Sequence, residues 1–124
     1  MCKILMSINP EYVDEILVGR KKYEYRKIKA KRNHVDKIII YCTSPVMKVV
    51  AEIDVLGVIE DKPENVWNNT KNYAGISKTK YDKYFKNKDI AIAYELGEVF
   101  RYDTPKDLKE FGINFIPQSF AYID

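Results

Sequence analysis

The residues best suited to chemistry lie between Gly19 and Lys37. From Arg20 to Lys37 the chain carries nine basic residues: Arg20, Lys21, Lys22, Arg26, Lys27, Lys29, Lys31, Arg32 and Lys37. Against them stand two acids, Glu24 and Asp36, so the window carries +7, whereas twelve basic and sixteen acidic residues elsewhere give −4. Positive charge gathered this way suits a polyanion such as nucleic acid, with a plain solvated face as the alternative. Lys21 stands just after the Gly19 turn. There it can grip a phosphate as a point charge, or, desolvated beside Arg20 and Lys22, release its proton and act as a base or nucleophile. The plain alternative is one more exposed lysine. Glu24 and Arg26 are two apart, hence on one face of an extended strand. They can form an ion pair that fixes the strand. Equally, Glu24 can accept from the amino group of a base while Arg26 binds a carbonyl or phosphate.

These side chains need elements to hold them. Lys3–Ile8 reads as a first strand, ended by Asn9–Pro10, a good N-cap followed by a proline at the first helical position. Tyr12, Val13, Ile16 and Leu17 recur at helical spacing and Gly19 stands where a C-cap glycine belongs, so a helix is expected over Pro10–Val18. Lys21–Ala30 reads as a strand with Lys22, Glu24, Arg26 and Ile28 on one face and Tyr23, Tyr25 and Lys27 on the other. A polar loop over 31–36 precedes a buried strand, Asp36–Thr43, and the turn signal Ser44–Pro45. Lys48–Glu60 reads as a long strand with a bend or bulge expected at Gly57. Helices are expected over Pro63–Asn72, packing Val66 and Trp67 inward, and over Ser77–Phe85 with Ser77 as N-cap, separated by irregular chain at 72–76. Lys88–Tyr102 returns to strand pattern, Pro105–Phe111 is a helical turn ended by Gly112, and 114–124 is an extended, packed tail. Short turns between consecutive strands argue against a βαβ parallel sheet. They favour an α+β fold: a small, mostly antiparallel β-barrel with inserted helices, in which closure or covering protects the strand edges.

The 124 residues suit one domain, expected over 1–124, and 46% hydrophobic with 31% charged residues is the balance of a folded globular chain. No apolar run approaches the roughly 18–20 residues of a membrane span, and the first residues do not read as a signal peptide. A cytosolic protein with no membrane partner is expected. Cys2 and Cys42 belong to no CxxC or Cys/His pair, and His34 is the single histidine. Two reduced thiols, a surface histidine, no metal and no cofactor are therefore expected. Tyr23, Tyr25, Tyr41, Trp67, Tyr73 and Tyr122 can offer stacking faces to a base, though most belong in a core, Trp67 as anchor of the inserted helix. Ser44 and Ser119 can donate to a ligand or serve as turn and cap residues.

The order of these pieces resembles the ASCH domain family, relatives of PUA and YTH-like barrels. Gly19-Arg20-Lys21-Lys22-Tyr23-Glu24-Tyr25-Arg26, behind a strand and a helix, is similar to the family's Gly-x-Lys-x-x-Glu-x-Arg signature. Ile39–Val46 resembles its strand ending in Ser-Pro, Ala51–Val55 the strand after it, and Pro117–Tyr122 a tail motif of many members. The resemblance implies a PUA-like barrel with a cleft, and contact with RNA or its nucleosides. It implies Arg20, Lys21, Lys22, Glu24, Arg26, Ser44 and Ser119 as ligand-binding residues. If the chain is an enzyme, an amidohydrolase on acylcytidine or a ribonuclease, Lys21 is central with Glu24 as acid/base, and Glu24 or Glu52 stands in for the family's missing partners. Deacylating members carry a hydroxyl residue where this chain has Glu24, and the segment that should bring their second carboxylate, about 72–76, holds no acid. RNA or nucleotide binding is therefore the leading expectation and catalysis the second.

Overall fold

Two apolar runs form the centre of the molecule: β1 (Lys3–Ile8) and β3 (Lys37–Cys42). The structure is a computed structural model that describes residues 1–32 and 34–123. Asn33, in the expected polar loop, and Asp124, at the end of the expected tail, lie outside the described residues. Both faces of β1 and β3 are covered, which is why neither shows polar alternation. Ile4, Met6 and Ile8 join Ile38, Ile40 and Cys42 and the α1 residues Val13 and Ile16 in one core. Leu5, Ile39 and Tyr41 pack with Val49 and Ile113 in a second core on the opposite face. Cys2 and Cys42 are free thiols, the second buried in β3.

Helix α1 (Pro10–Leu17) begins as expected with Pro10 in its first turn behind an extended Asn9. Asn9 does not cap it; its side chain instead accepts from the Thr43 hydroxyl at 3.3 Å. The other end matches expectation closely. Gly19 takes φ +84°, and the amides of Gly19 and Arg20 donate to the carbonyls of Ile16 and Glu15. This double closure is a Schellman motif, and it turns the chain so that Lys21 leaves the helix pointing back beneath it. The Lys21 amide also donates to Glu15.

The strand that follows is shorter than the pattern suggests. β2 covers Tyr23–Arg26, paired antiparallel with Ile92–Glu95 of β5 (Ala91–Lys106). Beyond Arg26 the backbone bends away, leaving Ile28 exposed, so alternation past that point does not report a sheet. β4 (Lys48–Asp61) runs antiparallel to both β3 and β5, with register shifts that include one between Val55 and Gly57, where the bulge was expected.

Between β4 and β5 the chain forms α2 (Pro63–Thr70), a 3₁₀ turn (Lys71–Tyr73) and α3 (Lys78–Tyr84), the last capped by the Ser77 hydroxyl. These helices pack Val66, Ala74, Tyr81 and Phe85 against Tyr25, Ala91 and Ala93, with Trp67 alongside Tyr81 at 4.8 Å between ring centroids. Pro105 lies within β5, so the helical turn is the shorter 3₁₀ segment Leu108–Phe111, ended by Gly112 at φ +75°. The tail finishes as β6 (Phe120–Ile123), antiparallel to β1.

Among the described residues the six strands form one mixed sheet in the order β2-β5-β4-β3-β1-β6. Four of its five pairings are antiparallel; β1 and β3 are parallel. The sheet is mostly antiparallel, as expected, with this one parallel pair inside it. The chain between Ile8 and Lys37, holding α1, β2 and the loop, is long enough for the crossover a parallel pair requires. The sheet curls into a half-barrel covered by the three helices. Its open seam lies between edge strand β2 and the β1–β6 edge, and it is bridged by a side chain. Arg26 of β2 donates to the Ser7 carbonyl of β1 at 2.9 Å and to the Ser119 hydroxyl at 3.2 Å. No helix among the described residues is long and apolar enough to cross a membrane.

Candidate functional site

At that seam, three charged groups are buried together: Lys21, 3% exposed, Glu24, 6%, and Arg26, 9%. Each is held by a different part of the fold. Lys21 is delivered by the turn after α1, and its ammonium donates to the Ala74 carbonyl at 2.8 Å. It lies 4.7 Å from the ring centre of Tyr25, 5.4 Å from that of Tyr12 and 4.0 Å from Oε1 of Glu24. Arg26 and Glu24 are next-but-one neighbours on β2, and Nε and Nη2 of Arg26 donate to Oε2 of Glu24 at 3.1 and 2.7 Å. One carboxylate oxygen therefore belongs to Arg26, while the other faces Lys21.

The loop from Ala74 to Ser77 makes this burial possible. Gly75 sits at φ +64°, and a Cβ there would stand 2.4 Å from the Cβ of Lys21. Only a glycine lets the backbone lie so close over the lysine stem. This is the segment expected to bring a second carboxylate; it offers the Ala74 carbonyl instead.

Electrostatics follow from burial. Desolvation pushes the Lys21 ammonium below its ordinary range; Glu24 opposes that shift and Arg26 adds to it. The Tyr25 phenol is pushed up to about 12, mainly by desolvation, with the Thr70 hydroxyl working against it. The Thr70 hydroxyl donates to the Val66 carbonyl at 2.7 Å, so in the 2.7 Å contact with Tyr25 it is the phenol that donates. A chain of hydrogen bonds thus fixes the ring over which the lysine sits. Tyr12 is also raised, by burial first and then by Glu11.

These groups line a cavity of about 440 Å³ together with Ser7, Asn9, Ile76, Lys80, Lys83 and Tyr84. It has the size of a small-ligand site and a mixed lining, aromatic walls with four basic residues (Lys21, Arg26, Lys80 and Lys83) and the carboxylates of Glu11 and Glu24. Among the described residues no cluster of three His, Cys, Asp or Glu side chains is arranged to hold a metal ion.

The remaining expected residues divide. Ser119 is brought to the site by the tail: the Ser7 hydroxyl donates to the Pro117 carbonyl at 2.6 Å and the Ser7 amide to the Ser119 carbonyl at 3.1 Å, so the Ser119 hydroxyl meets Arg26. Arg20 turns outward onto Glu15 at 2.6 Å, and Lys22 outward over the ring of Tyr73 at 4.6 Å. Ser44 is exposed in the turn after β3 and does not line the cavity. Of the aromatics, Tyr25 forms a wall; Tyr41 and Trp67 belong to packed cores. His34 is exposed, with Nε2 2.9 Å from Asp36.

Tyr12, Gly75, Lys80, Lys83 and Tyr84 escape the sequence reading. Tyr12 reads as part of the apolar face of α1, and Gly75 has no side chain to notice. Lys80, Lys83 and Tyr84 did carry a signal, their i, i+3, i+4 spacing on the face of α3 that adjoins Tyr81.

The family model that matches residues 6–100 is that of the ASCH domain, and it runs from within β1 to within β5. The chain belongs to the ASCH domain family. The ASCH domain-containing ribonuclease of Zymomonas mobilis is 27% identical over 122 residues, covering 96% of this chain and 82% of that protein. A crystal structure of ASCH from Zymomonas mobilis superposes with a TM-score of 0.89 at 26% identity, covering 98% of this chain and 87% of the other. A protein named ATP synthase subunit alpha, from Ureaplasma parvum serovar 3, is 33% identical over 121 residues, 97% of this chain but 15% of that protein. This ASCH domain thus spans about a seventh of that longer relative. The half-barrel is shared with the Zymomonas structure, and a ribonuclease-named relative supports an RNA-related role in general.

Proposed function

We propose that this ASCH domain binds an RNA segment in the Lys21–Glu24–Arg26 cleft and cuts its phosphodiester backbone. The observation that carries the reading is the convergence of two buried cations on one buried carboxylate, one oxygen of which is left facing Lys21 rather than Arg26. That oxygen, Glu24 Oε1, takes the proton of a ribose 2′-hydroxyl. The 2′ oxygen bonds to phosphorus, the bond from phosphorus to the 5′ oxygen breaks, and the departing oxygen takes a proton from the Lys21 ammonium. The products are a 2′,3′-cyclic phosphate and a 5′-hydroxyl. Burial makes Lys21 a stronger acid than an ordinary lysine, and Arg26 fixes the Glu24 carboxylate with Oε1 towards the lysine, so each group suits its part. The likeness to the Zymomonas ribonuclease over nearly the whole chain supports the same reading.

A second reading is binding without turnover. It is favoured by Arg26, whose guanidinium is engaged by Glu24, Ser7 and Ser119 and acts as a clamp of the seam. Incubation with end-labelled single-stranded RNA, the matching DNA, and acylated cytidine separates the readings. Cleavage of RNA but not DNA, leaving 2′,3′-cyclic ends, with Lys21→Met lowering the rate by roughly 100- to 10,000-fold, is expected. Equal cutting of DNA, or full activity in Lys21→Met, contradicts the proposal. Binding of RNA without cutting leaves the second reading, and release of cytidine from its acyl derivative points to the amidohydrolase.

A further inference from the structure

The outer rim of the cleft is built by α3. Lys80, Lys83 and Tyr84 lie at i, i+3 and i+4, hence on one helix face, and all three line the same cavity as Lys21, Glu24 and Arg26. The adjoining face of α3 buries Tyr81, with Phe85 packed just beyond the helix. Lys80 and Lys83 are exposed and take no part in the core. Lys80 approaches Glu11 at 3.5 Å, both side chains 58% exposed, a contact water screens. Among the described residues no carboxylate lies within ion-pair distance of Lys83.

Tyr84 is set apart from an ordinary surface tyrosine by how firmly it is held. The ammonium of Lys27 lies 4.5 Å from its ring centre, and the Phe85 ring meets it edge-on at 4.8 Å. Yet 36% of the residue stays exposed. A fixed, half-open aromatic ring beside two cations with no carboxylate partner is the arrangement that stacks a base and neutralises a phosphate.

We propose that Lys27, Lys83 and Tyr84 form a second nucleotide subsite, which holds the residue of a single-stranded RNA next to the one in the cleft. This rests on the RNA reading of the cleft. The base stacks on the open part of the Tyr84 ring, and the phosphate joining the two nucleotides lies between Lys83 and Lys27. Such a subsite gives no help to a lone nucleotide in the cleft. It raises affinity for a strand, and for single strands in particular, because a base held in a duplex stack cannot reach the ring.

The test is fluorescence anisotropy on the full chain with a labelled octanucleotide RNA, 2′-O-methylated throughout so that it lacks the nucleophile, alongside titration of a nucleoside monophosphate. Lys83→Glu is expected to weaken octanucleotide binding about tenfold or more and to flatten the slope of log K against log salt by about 0.7. Tyr84→Ala is expected to weaken it about tenfold. Both should cost the octanucleotide several-fold more affinity than they cost the monophosphate. Lys83→Gln, an uncharged change at an exposed position, guards against charge reversal acting on the fold, and thermal melting checks each variant. Octanucleotide binding unchanged in all three variants overturns the subsite while the cleft reading stands. Equal loss for octanucleotide and monophosphate also overturns it, since these residues would then belong to the primary site. If the parent chain binds neither ligand, the RNA reading fails and the subsite with it.

Discussion

The two halves of the basic segment make an instructive pair. In the first, Lys21 to Arg26, two cations are buried and hydrogen-bonded, Lys21 also over the rings of Tyr12 and Tyr25. In the second, Lys27 to Lys37, charges lie at the surface and several meet carboxylates from far along the chain: Lys29 with Glu60 at 3.6 Å, Lys37 with Asp54 at 2.7 Å and Glu52 at 3.7 Å. A window of +7 in sequence is therefore not a patch of +7 in space. Of its nine basic residues, Arg20, Lys21, Arg26, Lys29 and Lys37 have carboxylates within 4.0 Å. What separates the halves is desolvation, which turns a charge from a solvated ornament into a group with altered acidity and fixed aim.

The comparison breaks most sharply at Arg26. Arg26→Ala removes the bridge across the seam and strips Glu24 of its bidentate partner, so a loss of roughly 3–5 kcal/mol is expected. Urea unfolding measures it; a shift below about 1 kcal/mol would mean that the seam does not depend on this side chain. Next comes Gly75→Ala. The added Cβ meets the Lys21 stem at 2.4 Å in a left-handed backbone, which should cost about 2–4 kcal/mol and lower any cleft activity by displacing the lysine. Retained stability and activity would show that the loop is not what holds Lys21.

A smaller effect appears with pH. Tyr25 titrates at about 12 in the folded chain against 10.0 when free, so its contribution is fully present below pH 10 and is lost as pH rises through about 12. Lys21, lowered by burial, acts in the opposite sense: its folded state binds fewer protons between the lowered value and 10.5, so its contribution to stability rises with pH there. Tyr25→Phe should therefore flatten the alkaline loss of stability above pH 10 while costing about 1 kcal/mol at neutral pH, for the hydrogen bond to Thr70. Melting temperature followed from pH 8 to 11.5 in both proteins reads this out, and parallel curves would refute it. Smallest of all, Lys29→Ala should change stability by less than about 1 kcal/mol, since its pair with Glu60 is half exposed, and should leave cleft activity unchanged.

Much of this was legible in the sequence, for identifiable reasons. β1, α1 with its Gly19 turn, the Gly57 bulge and the Ser77 cap announce themselves by periodicity and by residues with one strong conformational use. That Glu24 and Arg26 share a face follows from the two-residue repeat of a strand. Lys21 is different. It precedes β2, so the strand repeat says nothing of its direction, and its partner Ala74 is a backbone carbonyl 53 residues away. The parallel pairing of β1 with β3 was hidden for a like reason: each strand looks the same whichever way its neighbour runs. Arg20 and Lys22 face away from the cavity because the turn that buries Lys21 points its neighbours outward, and Ser44 because it stands in the exposed turn after β3.

The most direct test of where RNA engages the molecule is photo-cross-linking of a 4-thiouridine-containing single strand, with the modified peptides mapped by mass spectrometry. Adducts on the peptides holding Tyr12, Lys21–Lys27 and Tyr84 are predicted, and they should disappear in Lys21→Met or compete away with unlabelled RNA. Adducts confined to the stretch from Lys29 to Lys37, unaffected by Lys21→Met, would contradict the account and return the function to the exposed half of the segment.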